Sequence, residues 1–277
     1  MSHEWPVKFL EHRVAEPRLL RLIRKWLKAG GSEDGEWSES RTGTPQGAVG
    51  SPLLANGSLH YVFACWVDAW RKTVATGDVI VVRYADDLVV GFQHRADAER
   101  FLGAFRDRRA TFGLELSAEK TRLIRVGRFA ALNWAERGQG KPETFTFLGF
   151  THYCGTRRST GSFIVWRKTA KQRMVAKLRA ITTELRRRMH EPIPRVGAWV
   201  QKVVTGYSPY HAIPGNLDRL SGFRHRLRRL WARLLGRRSQ RGWIPWLRLG
   251  PVVDRWIPPP RVLPPYPEQR FAANHPR

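Results

Sequence analysis

Cysteine is nearly absent from this sequence. Cys65 and Cys154 are the only two among 277 residues, and they lie far apart. They build no disulfide framework, and no CxxC pair suggests a zinc site. A reduced, cytoplasmic setting is expected. No apolar run is long enough to span a bilayer, and the opening MSHEWPVKFLEHR lacks the apolar core of a secretion signal. No membrane partner is expected. Acidic residues are also scarce: 23 Asp and Glu stand against 49 Lys and Arg, for a net charge of +26. Such a field repels itself and attracts polyanions, nucleic acid above all. An anionic membrane surface would need an amphipathic anchor helix, and none stands out. No internal repeat is present.

A hydrophobic content of 42% is enough for a core. The length suits one large domain or two modest ones. EPRLLRLIRKWLKAGG predicts a helix over 17–29, opened by Pro17 and closed by Gly30, with Leu19, Leu20, Ile23, Trp26 and Leu27 on one face. Residues 31–50 are turn-rich and aperiodic. Residues 52–72 read as a helix. VIVVRYADDLVVGF (79–92) reads as strand, turn, strand. A helix follows with Ala98, Phe101, Phe105 and Phe112 inward and Gly113 as its cap. LELSAEKTRLIRV reads as a turn between short extended pieces. TFTFLGF and GSFIVW read as strands joined by the loop CGTRRSTG.

From Arg167 to Arg238 there are 19 Lys and Arg against 3 Asp and Glu, a local net of +16. Three apolar stripes of helical spacing lie there: Met174, Leu178, Ile181, Leu185 and Met189; Val196, Val200, Val203 and Tyr207; Leu220, Phe223, Leu227, Leu230 and Leu234. They predict a three-helix bundle with a basic outside. From about residue 251 the chain turns Pro-rich and reads as an extended tail outside the core. The expected division is therefore 1–166, 167–240 and a tail, 241–277.

Asp86 and Asp87 are adjacent between two apolar runs. Buried neighbouring carboxylates repel each other unless a cation neutralises them. Successive strand residues point to opposite faces, so the pair shares a site only at a hairpin turn. A turn that presents carboxylates to solvent suits a hard divalent ion such as Mg2+. Such ions assist in-line displacement at phosphate.

Tyr84-Ala85-Asp86-Asp87 with its apolar flanks resembles the YxDD signature of reverse transcriptases. Three further blocks follow the same order. RTGTPQGAVGSPLLAN (41–56) resembles the family segment that lines the nucleotide and template pocket, which implies roles for Pro45, Gln46 and Gly47 beside Tyr84 and Ala85. GLELSAEKT (113–121) resembles the next block and implies that Lys120 lies near the nucleotide phosphates. FLGF (147–150) resembles the primer-gripping hairpin, through Phe147, Leu148 and Gly149. Within the family the resemblance is to group II intron reverse transcriptases, or maturases. HEWPVKFLEHRVAEPRLLRLIRKWLKAG is similar to their palm helices, the basic stretch to their thumb or maturase domain, and RWIPPPRVLPPYPEQRF to the C-terminal end of some bacterial members.

The resemblance implies an α+β fold: a partial palm with an antiparallel sheet and helices, then a basic helical thumb. It implies an RNA-directed DNA polymerase that adds dNTPs to a DNA primer on an RNA template. Mg2+ would sit on Asp86 and Asp87, with Mn2+ as an option, and the protein would assist intron RNA splicing and mobility. Intron RNA is the expected partner, a homodimer one expected state. Lys171, Arg173, Arg186, Arg187, Arg188, Arg224, Arg226, Arg228 and Arg229 are the candidate RNA contacts. Trp199 and Trp231 could stack on bases, but bundle packing suits them better. The family's third carboxylate would precede SHEW, and Asp34, in the GSEDGEW turn, is a poor substitute. The expectation is a truncated copy with little or no polymerase activity. The alternative is a non-catalytic, maturase-like intron RNA-binding protein.

Overall fold

The computed structural model describes residues 2–28, 31–33, 36–38, 50–136, 138, 140, 142–157, 160–238, 244–262 and 264–266. It divides into two compact units, Met1–Leu123 and Ile124–Arg277. Helices and small antiparallel sheets occur in both.

The first unit opens with α1 (Glu4–Glu11) and α2 (Pro17–Lys28). Leu20, Ile23 and Leu27 of α2 are buried, as their spacing requires. Leu19 and Trp26, expected on the same face, lie at its margin and stay exposed. The turn-rich stretch holds a pair of three-residue strands, β1 (Gly31–Glu33) and β2 (Glu36–Ser38), too short to leave a periodic signature. The helix expected over 52–72 is α3 (Ser51–Leu59), a π-helical turn (His60–Ala64) and α4 (Cys65–Thr73). Strands β3 (Val79–Tyr84) and β4 (Asp87–Phe92) then form a two-stranded ribbon, followed by α5 (Arg95–Ala110).

Alternation decides how that ribbon sits. Val79, Val81, Leu88, Val90 and Phe92 pack on Phe63, Val67, Trp70, Phe101 and Phe105 of the helices. Burying each such aromatic contributes about 1.5–3 kcal/mol. The rings meet edge to face at Trp70–Phe101, with centroids 5.0 Å apart. Ile80, Val82 and Tyr84 point the other way and are 68%, 46% and 64% exposed.

The second unit begins with α6 (Ala130–Glu136) and a three-stranded antiparallel sheet, β5 (Phe145–Phe147), β6 (Phe150–Thr156) and β7 (Phe163–Thr169). The three basic stripes form α7 (Lys171–Arg187), α8 (Ile193–His211) and α9 (Leu217–Gly236). Their core joins Met174, Leu178, Ile181 and Leu185 to Val196, Val200 and Val204, and to Phe223, Leu227 and Trp231. The expected tail is different in kind. It begins as a fourth helix, α10 (Trp246–Asp254), and Val253 and Ile257 have no exposure at all inside the bundle core. Pro251 lies within that helix and leaves the carbonyl of Leu247 without its usual partner. Leu247 is 87% exposed, so water can reach the site. Among the described residues no helix is long and apolar enough to cross a membrane.

Candidate active-site hairpin and basic helices

Tyr84 pairs with Asp87, so the β3–β4 loop is Ala85 and Asp86 alone. Two-residue hairpin loops need positive φ at the first position, and Ala85 has φ 52°. A residue with a Cβ tolerates that conformation poorly, a strain common at functional sites. Both aspartates are exposed at the tip. Asp87 shares the bare face of the ribbon with Tyr84, opposite the Arg83–Leu88 pair that faces the helices. Arg83 donates from Nη1 to Asn56 Oδ1 at 3.4 Å, tying the ribbon to α3.

The base of the hairpin is fixed by a residue that periodicity does not single out. Asp97 is fully buried. It accepts from the backbone N–H groups of Thr76 at 3.0 Å and Gly77 at 3.1 Å, and from the Thr76 hydroxyl. Arg100 pairs with it. Burial pushes its carboxyl up, but Arg100 and the Thr76 and Gly77 donors outweigh that and hold it at about 2. A Cβ at Gly77 would meet His94 Cδ2 at 2.6 Å, so any larger residue there must displace the exposed His94 side chain.

Two carboxylates at the tip suit a divalent ion that keeps waters and takes phosphate oxygens as its other ligands. Among the described residues there is no group of three His, Cys, Asp or Glu side chains able to hold a metal. Lys120 is exposed, in a turn where its N–H donates to Ser117 O at 3.2 Å. The extended pieces expected around it form no strand. Pro45, Gln46, Gly47 and Asp34 lie outside the described residues. The end of the same sequence block, from Ser51 to Asn56, starts α3 with Pro52 in the first turn.

In the second unit, Leu148 and Gly149 make the β5–β6 loop, with φ of 49° and 80°. Both positive values are what a two-residue hairpin of this hand requires. The Tyr210 hydroxyl donates to Leu148 O at 2.7 Å, and Ala170 N–H donates to Gly149 O at 2.9 Å. Asn216, fully buried, accepts from Thr169 N–H at 2.9 Å and donates to Thr169 Oγ1 and His211 O, each at 2.8 Å. These contacts seat the Phe147–Gly149 turn on the start of α7 and the end of α8.

The candidate RNA contacts fall into two sets. Lys171, Arg173 and Arg186 on α7, and Arg226 and Arg229 on α9, are exposed. The others make ion pairs inside the unit, and of these Arg187 also stays exposed. Arg187 and Arg188 pair with Glu184, whose carboxyl these two hydrogen bonds hold at about 2. The Arg188 guanidinium also lies 5.2 Å from the Trp199 ring. Arg224 binds Asp254 at 2.9 Å and Ile257 O at 3.0 Å, and Arg228 binds Asp254 at 2.6 Å. Those two arginines fasten α10 to α9. Trp231 is buried in the core.

Residues 1–152, more than half of the chain, match the family described as reverse transcriptase (RNA-dependent DNA polymerase). The chain belongs to that family. Over 60 residues this reverse transcriptase is 38% identical to an uncharacterized 91 kDa protein in the cob intron of Schizosaccharomyces pombe, covering 22% of the chain and 7% of that protein. Over 60 residues it is 37% identical to the group II intron-encoded protein LtrA of Lactococcus lactis subsp. cremoris, covering 22% of the chain and 10% of LtrA. The match thus spans a tenth or less of the length of these relatives. Reverse transcriptases as a family work with divalent metal ions, nucleotides and nucleic acid. Asp97, Tyr210 and Asn216 are the residues that reading the sequence missed. The signal available for Asp97 was only a charge at an otherwise inward helical position.

Proposed function

We propose that this reverse transcriptase is of the group II intron type and carries out RNA-directed DNA synthesis at the β3–β4 tip. The reading is supported above all by the exposed Asp86–Asp87 pair on a strained two-residue turn, inside the segment that matches the family. Asp86 and Asp87 would hold Mg2+, or Mn2+ in its place, which supplies charge stabilisation for phosphoryl transfer. Tyr84 and Ala85 would border the nucleotide and template, Lys120 would meet the nucleotide phosphates, and Phe147–Gly149 would hold the primer backbone. The exposed cations of α7 and α9 would bind intron RNA by phosphate contact and so assist splicing.

The test is primer extension on a poly(rA) template with Mg2+, alongside RNA binding. Asp86→Ala should abolish whatever extension the chain supports and leave RNA affinity within about twofold, because the carboxylate is distant in role from phosphate contact. Extension that survives in Asp86→Ala would refute the assignment. One observation favours a second reading. Only two carboxylates gather at the tip among the described residues, and two-metal chemistry uses more. If the chain binds and helps fold intron RNA but extends no primer, it acts as a maturase-like binding protein.

A further inference from the structure

A cavity of about 370 Å³ lies beside β7 in the second unit, and nothing above uses it. Its walls include His152, Phe163, Trp166, Arg167, Pro214 and Tyr266. Phe163 and Tyr266 offer ring faces and Arg167 a guanidinium, while the His152 ring already stacks on Phe145 with centroids 4.7 Å apart. We propose that this cavity takes a single unpaired RNA nucleotide, with the base against the Phe163 and Tyr266 rings and the phosphate toward Arg167. This rests on the reading that the unit binds RNA.

Size supports it first. The cavity falls at the small end of ligand pockets, which run from about 300 to 1,000 Å³. It has room for one nucleotide and none for a duplex. Rigidity comes second. A Cβ on Gly155 would lie 2.6 Å from Trp166 Cδ1, and one on Gly215 would lie 2.6 Å from Trp166 Cε3. The indole is therefore wedged by two backbones and forms a fixed wall. Such a wall costs little ordering entropy when a ligand enters. Charge comes third. Arg167 stands directly across the strands from His152, and the Arg157 guanidinium lies 5.1 Å from the Tyr266 ring. Burial, aided by the Arg167 charge, holds His152 below the ordinary histidine range, so its ring is neutral at neutral pH. A neutral imidazole adds no second positive charge beside Arg167 and leaves that guanidinium to meet the phosphate. An apolar peptide would leave the guanidinium without a partner. An unstacked RNA base with its phosphate satisfies both rings and charge.

The experiment uses the full chain, with a single-stranded RNA oligonucleotide carrying one 4-thiouridine as probe and a duplex RNA as control. Tyr266→Ala should weaken single-strand binding about 5- to 150-fold, the range of one lost stacking contact. Duplex affinity and the slope of affinity against salt should stay unchanged. Tyr266→Phe, which keeps the ring, should bind as the parent does, and Phe163→Ala gives an independent reading if Tyr266→Ala folds poorly. The photo-crosslink should map to the β6–β7 peptides or to Tyr266. Unchanged single-strand affinity in both alanine variants would overturn the proposal. So would an equal loss on the duplex, or crosslinks confined to other peptides. If the parent binds no RNA at all, the RNA-binding reading fails and takes the pocket with it. If it binds RNA with steep salt dependence and the variants do not differ, the pocket alone fails.

Discussion

Asn216 saturates three partners with one buried amide: a strand N–H, a threonine hydroxyl and the last carbonyl of α8. Removing it strands the Thr169 N–H away from water, at about 1–3 kcal/mol, while His211 O keeps the Ile213 N–H at 2.9 Å. Asn216→Ala should therefore lower the urea midpoint of the second unit clearly. It should also loosen the Phe147–Gly149 turn, read as faster amide exchange at Gly149 and Ala170. A variant with parental midpoint and exchange would show that the amide is dispensable. Such residues are silent in a linear sequence. Thr169 is 47 positions from Asn216, and Thr76 is 21 from Asp97. Tyr84–Asp87, by contrast, was legible because its meaning is carried by four contiguous residues between two apolar runs. Arg224 and Arg228 were legible as charge but not as role, since Asp254 lies 30 and 26 positions away.

Among the elements, α10 tests how far proline deserves its reputation as a breaker. The three stripes of α7, α8 and α9 showed through because each repeats every three or four residues over several turns. The fourth helix is short, carries Pro251 and runs on toward the prolines at 258–260, so turn chemistry masks a buried face of Leu249, Val253 and Ile257. Ile257→Ala should cost about 2–5 kcal/mol, the usual range for emptying a packed site. The loss should appear as a lower thermal midpoint of the second unit. A change below about 0.5 kcal/mol would mean that the segment merely rests on the bundle. The π-helical turn between α3 and α4 was equally hidden, because one helical pattern runs straight across it.

At the scale of the whole molecule, the division into units gives the pH response two phases. His152 and His211, both in the second unit, are held below the ordinary value of 6.5 by burial. The unfolded chain binds their protons more readily than the folded one, so their contribution is full above about pH 7 and fades as pH falls. Asp97 in the first unit and Glu184 in the second are lowered too, to about 2 from ordinary values of 3.8 and 4.5, so the sign is the same but the window lies lower. Their contribution persists at mild acidity and is lost only below about pH 4. Urea midpoints measured from pH 7.5 to 5 should fall for the second unit while the first holds. A His152→Gln, His211→Gln double variant with the parental slope would remove the histidines as the cause. The charge asymmetry was plain from composition. Which cations remain exposed was not, because the pairing of particular arginines with Asp97, Glu184 and Asp254 is set by the fold.

The wedge of Trp166 between two glycines also has a consequence for descent. No single step can enlarge Gly155 or Gly215 while the indole stays, since the first added carbon already collides with it. Nor does shrinking the indole alone come free, because it opens a void between two backbones. The three positions should therefore be inherited as one character. Related chains should keep glycine, tryptophan and glycine together or exchange all three for a different filling.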